Sequence, residues 1–524
     1  MTDLTKRLEN EPLLSPDLSP NINSVNDGYQ STLTSNNNRD AYDIQDSYDS
    51  FPSMEPNGSV NSEKIEEVYR TYWSRWYILI LFSLVAFTQS GTWNTWGPIA
   101  DTTKAVLGWT DADIALLTNW GPITYVISAP FFSWVMDVKG LKMSMLMAST
   151  LEMIGVAIRC IPVPLKYLKW VMNAGHVFIG LAGPVLMACP PLVSATWFPP
   201  HQRTTSTAYL TAMAYMGVAC SFLIGPLIVS NVHILNSTAI VPIVNESIYD
   251  LYEGSQPNTT IIPSVKHNHL QEINLLMYIE AGFMAILFIM TWVYFPAKPP
   301  TPPSASAETK REDFLEGAKI LFTSTQFWLP ALCYSISSGV YNVWGTQLDT
   351  IFYNTVGVGQ GIAGWIGFYS NIAGVVGSLV LARFVDLLGG KMKLVLLLLT
   401  SCGIGCVVWI ILICEEVIVF NLPSLYVSII SLAVIVNSTI PLYFEITVEG
   451  TYPVAEGITA MIMTWLNNLY GLIFLLIMLS PSIGVLWTNY AVLGAVAICI
   501  PMLLVYKERY NRLSQDTAAE EKYK

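Results

Sequence analysis

Charge is scarce in this chain. Only 12% of its 524 residues are Asp, Glu, Lys or Arg, about half of the roughly 25% found in soluble domains, while 52% are hydrophobic. So little charge cannot cover a water-facing surface, which excludes an ordinary soluble domain. Basic blocks are missing too, which excludes nucleic acid as a partner. The net charge of −12 is local, because residues 1–68 hold thirteen Asp/Glu against four Lys/Arg and supply −9 of it. All eight cysteines fall in apolar stretches and none in a hydrophilic loop, so no disulfide framework is expected. The opening "MTDLTKRLENEP" has no apolar run for a cleaved signal peptide, and targeting is expected to come from the first span. The spans show no metal-ligand cluster and no paired His/Asp motif, so no metal, no cofactor and no enzymatic role are expected.

Long apolar runs are what the chain has in quantity. Segments of about twenty such residues, the length a bilayer core asks of a helix, recur at 76–99, 113–136, 142–161, 170–193, 203–229, 273–295, 326–353, 361–384, 392–414, 423–445, 456–480 and 484–506. The predicted fold class is an all-α membrane protein with twelve transmembrane helices in two six-helix bundles. Residues 1–68, rich in Asn, Ser, Asp and Pro, are expected to be a disordered tail. A first bundle would span 69–295, with a polar loop at 230–272. A central loop at 296–325, beginning "PAKPPTPPSASAETKRED", would lead to a second bundle at 326–506 and a tail at 507–524. Fifteen Lys/Arg near span ends share the side of the N-terminus, against Lys104, Lys166, Lys169 and Lys266 on the other. The positive-inside rule then places both termini in the cytosol. The 230–272 loop falls on the far side, where its sequons at Asn236, Asn245 and Asn258 are expected to be glycosylated.

The two halves echo each other. "WNTWGPIAD" at 93–101 and "YNVWGTQLD" at 341–349 each end an apolar run, 248 residues apart. Each is followed by a second echo, "SWVMDVKG" with Asp137 and "ARFVDLLG" with Asp386, at Asp-to-Asp spacings of 36 and 37 residues. Two parallel halves of six spans resemble the major facilitator superfamily, whose substrate site lies between the halves near mid-membrane. "SWVMDVKGLKM" resembles that superfamily's cytosolic motif between helices two and three. Asp137 would complement a positive helix N-terminus and Gly140 would allow a tight turn. Arg383 and Asp386 stand in the second copy, and the four residues form a candidate gate. The motif departs from the common pattern in Ser133, Lys139 and Lys142, and an ordinary charged loop is the competing reading.

"FEITVEGTYPVAEG" at 444–457, with "DVKGLK", "IRCIP" at 158–162, "NTWGPI" at 94–99 and "ARFVD" at 382–386, resembles solute carrier family 49. The resemblance covers residues 70–512. It implies carriage of a small organic solute, choline and haem among those handled by the family. Through a lysosomal member it implies proton-dependent export of pyridoxine, vitamin B6, by alternating access. Haem would want buried axial ligands, yet of five His only His176 lies within a span. A protonated pyridine or a quaternary amine suits a cage of aromatic faces, each contributing roughly 0.5–2 kcal/mol. Trp93 and Trp96 lie three apart on span one, and Tyr341 and Trp344 repeat that spacing on span seven. Spans one and seven line the cavity in the superfamily, and the resemblance places the family's aromatic contact at Trp93. Asn94, Asn342, Asn467 and Asn468 could bond substrate hydroxyls. Trp96 and Trp344 equally fit an interfacial belt.

Acids inside spans cost roughly 2.5–3.5 kcal/mol each on insertion scales and usually pair or serve function. Asp349 and Glu445 lead the candidates for proton coupling, followed by Glu280, while a helix cap or gate ion pair competes for each of the first two. Glu152 and Glu280 fall on outer spans. Arg159, seven residues beyond Glu152, is too far along the axis, about 10 Å, for a direct pair between them. In the tail, "ENEPLL" sets Glu9 four residues before Leu13 and Leu14, the pattern clathrin adaptors read, and lysosomal residence is the expectation. Small-molecule substrate, protons and lipid bilayer complete the expected partners. A choline or other organic-cation transporter and a non-transporting nutrient sensor or scaffold remain the alternatives.

Overall fold

The computed structural model describes residues 70–230, 263–308, 312–358, 360–388, 391–478 and 485–523. The sorting residues Glu9, Leu13 and Leu14, and the sequons at Asn236, Asn245 and Asn258, lie outside the described residues. In the first half run α1 (Ser74–Trp93), α2 (Ala100–Leu107), α3 (Asp111–Trp134), a π-helical turn (Val135–Lys139), α4 (Gly140–Arg159), α5 (Leu165–Ala188), α6 (Pro190–Trp197), α7 (Arg203–Ile228) and α8 (Pro263–Val293). Short helices α9 (Ala305–Glu308) and α10 (Phe314–Thr323) follow in the connection. The second half holds α11 (Thr325–Thr346), α12 (Leu348–Val356), α13 (Gln360–Leu388), α14 (Met392–Cys414), α15 (Leu422–Thr451), α16 (Glu456–Met478), α17 (Trp487–Ala497) and α18 (Cys499–Val505). A last helix, α19, covers Asn511–Tyr523.

Helix is the form an apolar run takes in lipid because it satisfies every backbone polar group internally. Ten stretches among the described residues are long and apolar enough to cross a membrane, and the one at 112–159 runs through both α3 and α4. Helix α11 is not among them: its run of Ser, Tyr, Asn and Gln lowers its hydropathy, as befits a helix that lines a polar path. With α4 and α11 counted, each of the twelve expected spans has its helix.

Two expected boundaries are corrected. The run at 76–99 breaks after Trp93, and the run at 326–353 breaks at Gln347. Each break is followed by a short helix with an acid at its second position, Asp101 in α2 and Asp349 in α12, where a carboxylate complements the helix dipole. Each short helix ends in a glycine of left-handed conformation, Gly108 and Gly357, both with φ of 69°. The paired nonamers therefore build the same supersecondary unit twice.

Contact between the halves is carried by α7 on α13 and by α3 on α16, with α15 and α5 adding to each seam. The Tyr125 hydroxyl of α3 hydrogen-bonds Thr464 of α16, and the Trp465 indole donates to the carbonyl of Val126 at 3.0 Å. Helices α1 and α11 are each packed inside their own half.

Candidate functional site

Trp93 ends α1, half-buried, with its indole Nε1 donating to the carbonyl of Thr118 on α3 at 2.7 Å. The ring lies flat against Gly121: a Cβ there would stand 2.5 Å from Nε1. Across the molecule Tyr341 of α11 neighbours Tyr215 of α7, and the Tyr215 hydroxyl is turned to Asn342 and Ser338 of α11. Tyr334 adjoins both Tyr215 and Tyr125. Trp93, Tyr215, Tyr341, Asn342 and Asn468 all keep partial exposure. Asn342 donates to Ser338 Oγ at 3.4 Å, and Asn468 donates to its own helix at the carbonyl of Thr464. Polar hydrogen-bonding capacity and aromatic faces therefore meet where the halves face each other. Tyr215 was not foreseen, because nothing in the sequence says which face of α7 meets the second half.

Other expected contacts lie elsewhere. Trp96 is fully buried in the first half against Trp109, ring centroids 5.2 Å apart. Trp344 is buried in the second half, its indole donating to Asn489 Oδ1 at 2.8 Å. Asn94 donates to Ser221 within the first half at 2.9 Å, and Asn467 is buried where α11 and α16 touch. In the first nonamer the helix breaks after Trp93, so Trp93 and Trp96 do not share one face; Tyr341 and Trp344 both lie in α11, ring centroids 6.1 Å apart, and Trp344 is buried against Asn489 of α17. Nor do Trp96 and Trp344 form an exposed belt.

The intramembrane acids sort into two groups. Glu280 of α8 pairs with Arg159 of α4 at 2.9 Å and accepts from Thr95 of α1 at 2.7 Å. Glu152, on α4, is completely buried and meets the Thr92 hydroxyl at 2.7 Å. Glu445 lies at the other group, bonded to Arg512 of α19, which also binds Glu449 at 2.9 Å and stands 3.8 Å from Glu456. Burial alone would depress the Arg512 pKa, but the surrounding Glu445, Glu449 and Glu456 raise it well above the ordinary arginine value. That guanidinium stays charged at every accessible pH. Asp349 holds the second position of α12; its side chain lies outside the described residues.

At this same end, the latch end, Asp386 of α13 accepts from the Thr205 amide at 2.8 Å and from its hydroxyl at 2.5 Å. Thr205 belongs to the first turn of α7, whose amides have no partner within the helix. Arg203, which opens the same turn, binds Asp516 of α19 at 3.0 Å, Ser304 at 2.7 Å and Ser306 at 2.9 Å. Asp516 in turn accepts from the Ser306 amide at 2.7 Å. Helix α19 is thus tied through Arg512 to the second half and through Asp516 to the first half and to the connection. Residues 507–524 were expected to be a plain tail, although Arg512 and Asp516 sit four apart, on one helix face.

The gate residues divide similarly. The helix-capping role expected of Asp137 is performed by its second-half counterpart, Asp386. Asp137 is half-buried on the π-helical turn, while Met136 beside it packs on Gly457 at the start of α16. That helix already carries an acid, Glu456, in its first turn. Gly140 takes φ of 79°, as the tight turn into α4 requires. Arg383 is exposed.

Residues 78–476 match the family model described as the Major Facilitator Superfamily. A solute carrier family 49 member 4 homolog of Xenopus tropicalis is 35% identical over 452 residues, covering 85% of this chain and 94% of the relative. A choline/ethanolamine transporter FLVCR1 of Mus musculus is 26% identical over 418 residues, covering 77% of this chain and 69% of the relative. Among solved structures, the E. coli fucose:proton symporter FucP superposes with a TM-score of 0.59 at 12% identity, covering 83% of this chain and all of that one. The proton:xylose symporter XylE superposes with a TM-score of 0.62 at 11% identity, covering 84% of this chain and 99% of that one.

Proposed function

We infer, for a chain that belongs to the major facilitator superfamily and within it to solute carrier family 49, proton-dependent export of pyridoxine across the lysosomal membrane by alternating access. A transport role for this multi-pass membrane protein follows from the family itself. The substrate reading is carried by one observation: Tyr341 and Asn342 of the second half meet Tyr215 of the first, and Trp93 stands at the position of the repeated unit equivalent to Tyr341. Aromatic faces attract a protonated pyridine ring by cation–π and stacking forces. Asn342, Asn468 and the Tyr215 hydroxyl would receive its hydroxyl groups.

The latch end is taken as cytosolic, in keeping with the excess of Lys/Arg on that side of the sequence. Solute would enter from the opposite, lumenal end while Asp386–Thr205 and Arg203–Asp516 hold the halves together. Rocking would break those contacts and open the cytosolic path, with a lumenal proton loaded before the step and lost after it. Asp137, Gly140, Arg383 and Asp386 are assigned to this gate. Glu445 is assigned to the same gate through Arg512, and Asp349 is kept with Glu280 as an acid of the coupling pathway. The "ENEPLL" signal with Glu9, Leu13 and Leu14, read by a clathrin adaptor, would bring the protein to the lysosome. Asn236, Asn245 and Asn258 would carry its glycans.

The test moves the protein to the cell surface with Leu13→Ala and Leu14→Ala and measures labelled pyridoxine uptake at acidic and neutral external pH. Uptake that rises in acid and falls with Trp93→Ala supports the reading, and absence of acid-stimulated uptake removes this substrate. Choline is the second reading, favoured by the same aromatic pair and by similarity to choline/ethanolamine transporters. Unlabelled choline that suppresses pyridoxine uptake, and is itself carried faster, would prefer it.

A further inference from the structure

Next to Trp93 in the chain, α1 packs on a set of polar groups within the first bundle, of which the transport reading has used only Glu280. Helices α4, α5 and α8 surround α1 there and supply Glu152, Arg159, His176 and Glu280. Helix α1 supplies the hydroxyls of Thr92 and Thr95, which flank Trp93 in the chain.

The hydrogens of this cluster can be counted. Arg159 Nη2 forms an ion pair with Glu280 Oε2 at 2.9 Å and donates to Met277 Sδ at 2.7 Å, while Nη1 donates to the carbonyl of Thr92 at 3.3 Å. Glu280 thus has a guanidinium in ion-pair contact with one oxygen and the Thr95 hydroxyl against the other, a hydroxyl that also lies 2.9 Å from the carbonyl of Thr92. Glu152 has a threonine hydroxyl of its own but no guanidinium in ion-pair contact. Its Oε2 is buried and without a hydrogen-bond partner. Its Oε1 lies 2.7 Å from Thr92 Oγ1, which is also 3.0 Å from the carbonyl of Gln89. A hydroxyl has a single hydrogen, so an ionised Glu152 and that carbonyl would compete for it. A proton on Glu152 removes the conflict, since the acid O–H donates to Thr92 and Thr92 donates on to Gln89. Two carboxylates beside one guanidinium also leave a net negative charge in the interior unless one of them is protonated.

We propose that Glu152 carries the coupled proton and that Thr92 passes its protonation state to the helix end bearing Trp93. The inference rests on proton-coupled transport as read above and names the group that performs it. When the Glu152 O–H bond breaks, the proton leaves to water and the carboxylate stays. The Thr92 hydrogen then turns from Gln89 to Glu152, and Arg159 has a second anion within its reach. The charged or titratable groups facing Glu152 among the described residues are Arg159 on its own helix and Glu280 on α8, with His176 of α5 beyond Arg159. Helix α1 faces it with Thr92. The end of α1 therefore has two hydrogen-bonding patterns, one for each protonation state, a single residue away from the aromatic contact.

The experiment uses the full chain, purified and reconstituted into vesicles, and compares wild type with Glu152→Gln, Glu152→Asp and Thr92→Val. Infrared spectra report the carbonyl stretch of protonated carboxyls, and labelled pyridoxine reports both acid-stimulated uptake and counterflow exchange. Glu152→Gln is expected to lose a protonated-carboxyl band and to bring uptake at acidic and neutral pH within about twofold of each other, while counterflow persists. Glu152→Asp should keep acid stimulation with a displaced midpoint. Thr92→Val should keep the band but move it to higher frequency, because the acid has lost its acceptor. A band that survives Glu152→Gln, or acid stimulation as large as wild type in that variant, overturns the proposal. An unmoved band in Thr92→Val overturns the link to α1 even if Glu152→Gln proves unstable. A wild type indifferent to pH instead removes the proton coupling proposed for the protein, and this role with it. That outcome is told apart from the others by the wild-type control alone.

Discussion

Asp386 stops the first turn of α7 from across the molecule: its carboxylate takes the backbone amide and the hydroxyl of Thr205, at 2.8 and 2.5 Å. The acid belongs to one half and the helix N-terminus to the other. The contact lasts only while the halves are closed at that end, so its strength sets part of the closed-to-open balance.

Neutralising that acid is the direct test. Asp386→Asn keeps the shape but removes the charge facing the helix dipole, a loss of about 1 kcal/mol. The population open at the latch end should rise about fivefold. Spin-label distances between α7 and α13 at that end would measure the shift, and an unchanged distribution would show that the contact does not govern the gate.

Arg512 holds three acids at once, and its removal should be felt as lost stability. Arg512→Ala leaves Glu445 and Glu449 buried without their cation, a change that costs roughly 3–5 kcal/mol. The midpoint of thermal unfolding in detergent should drop by several degrees. Adding Glu445→Gln and Glu449→Gln should restore part of it, and additive losses on combining the changes would argue against the cluster as a unit.

Trp93 and Trp96 should separate function from stability. Trp93→Ala removes an aromatic face from the space between the halves, and the KM for the solute should rise by a factor of about 2–30 with little change in unfolding. Trp96→Ala empties a site packed against Trp109 and should cost about 3–5 kcal/mol of stability. Uptake kinetics and melting curves on both variants decide it. A KM effect confined to Trp96 would reverse the assignment.

Gly121 is expected to act through the same indole. In Gly121→Ala the added carbon would stand 2.5 Å from Trp93 Nε1, so the ring must leave the carbonyl of Thr118. The KM should rise as it does for Trp93→Ala, and the double variant should be no worse than Trp93→Ala alone. Additive effects would mean that the two residues act separately.

Much of this molecule was legible without coordinates, and the reason differs from one element to the next. Apolar runs announced the helices because lipid leaves the backbone no other way to satisfy itself. The paired nonamers announced the duplication, and the structure adds that Asp101 and Asp349 start equivalent short helices. Trp96 was misplaced because a three-residue spacing implies one helix face only where the helix continues. The chain breaks after Trp93. Glu152 and Glu280 stand on outer helices and were ranked last, yet α1 packs directly on both.

By itself the sequence determined a twelve-span membrane protein of two related halves, with a seam between them that aromatic and amide side chains would border. Composition and periodicity suffice for the spans and the repeat, because they act through the solvent and through neighbours a few residues away, while the seam and its lining were implied by the family resemblance. Partner choice across long separations was decided only in three dimensions. Arg512 could not be matched to Glu445, Asp386 to Thr205, or Arg159 to Glu280 by any local rule. An ion pair or hydrogen bond needs atoms within about 3 Å, and only the packing of helices brings residues so far apart in the chain to that distance.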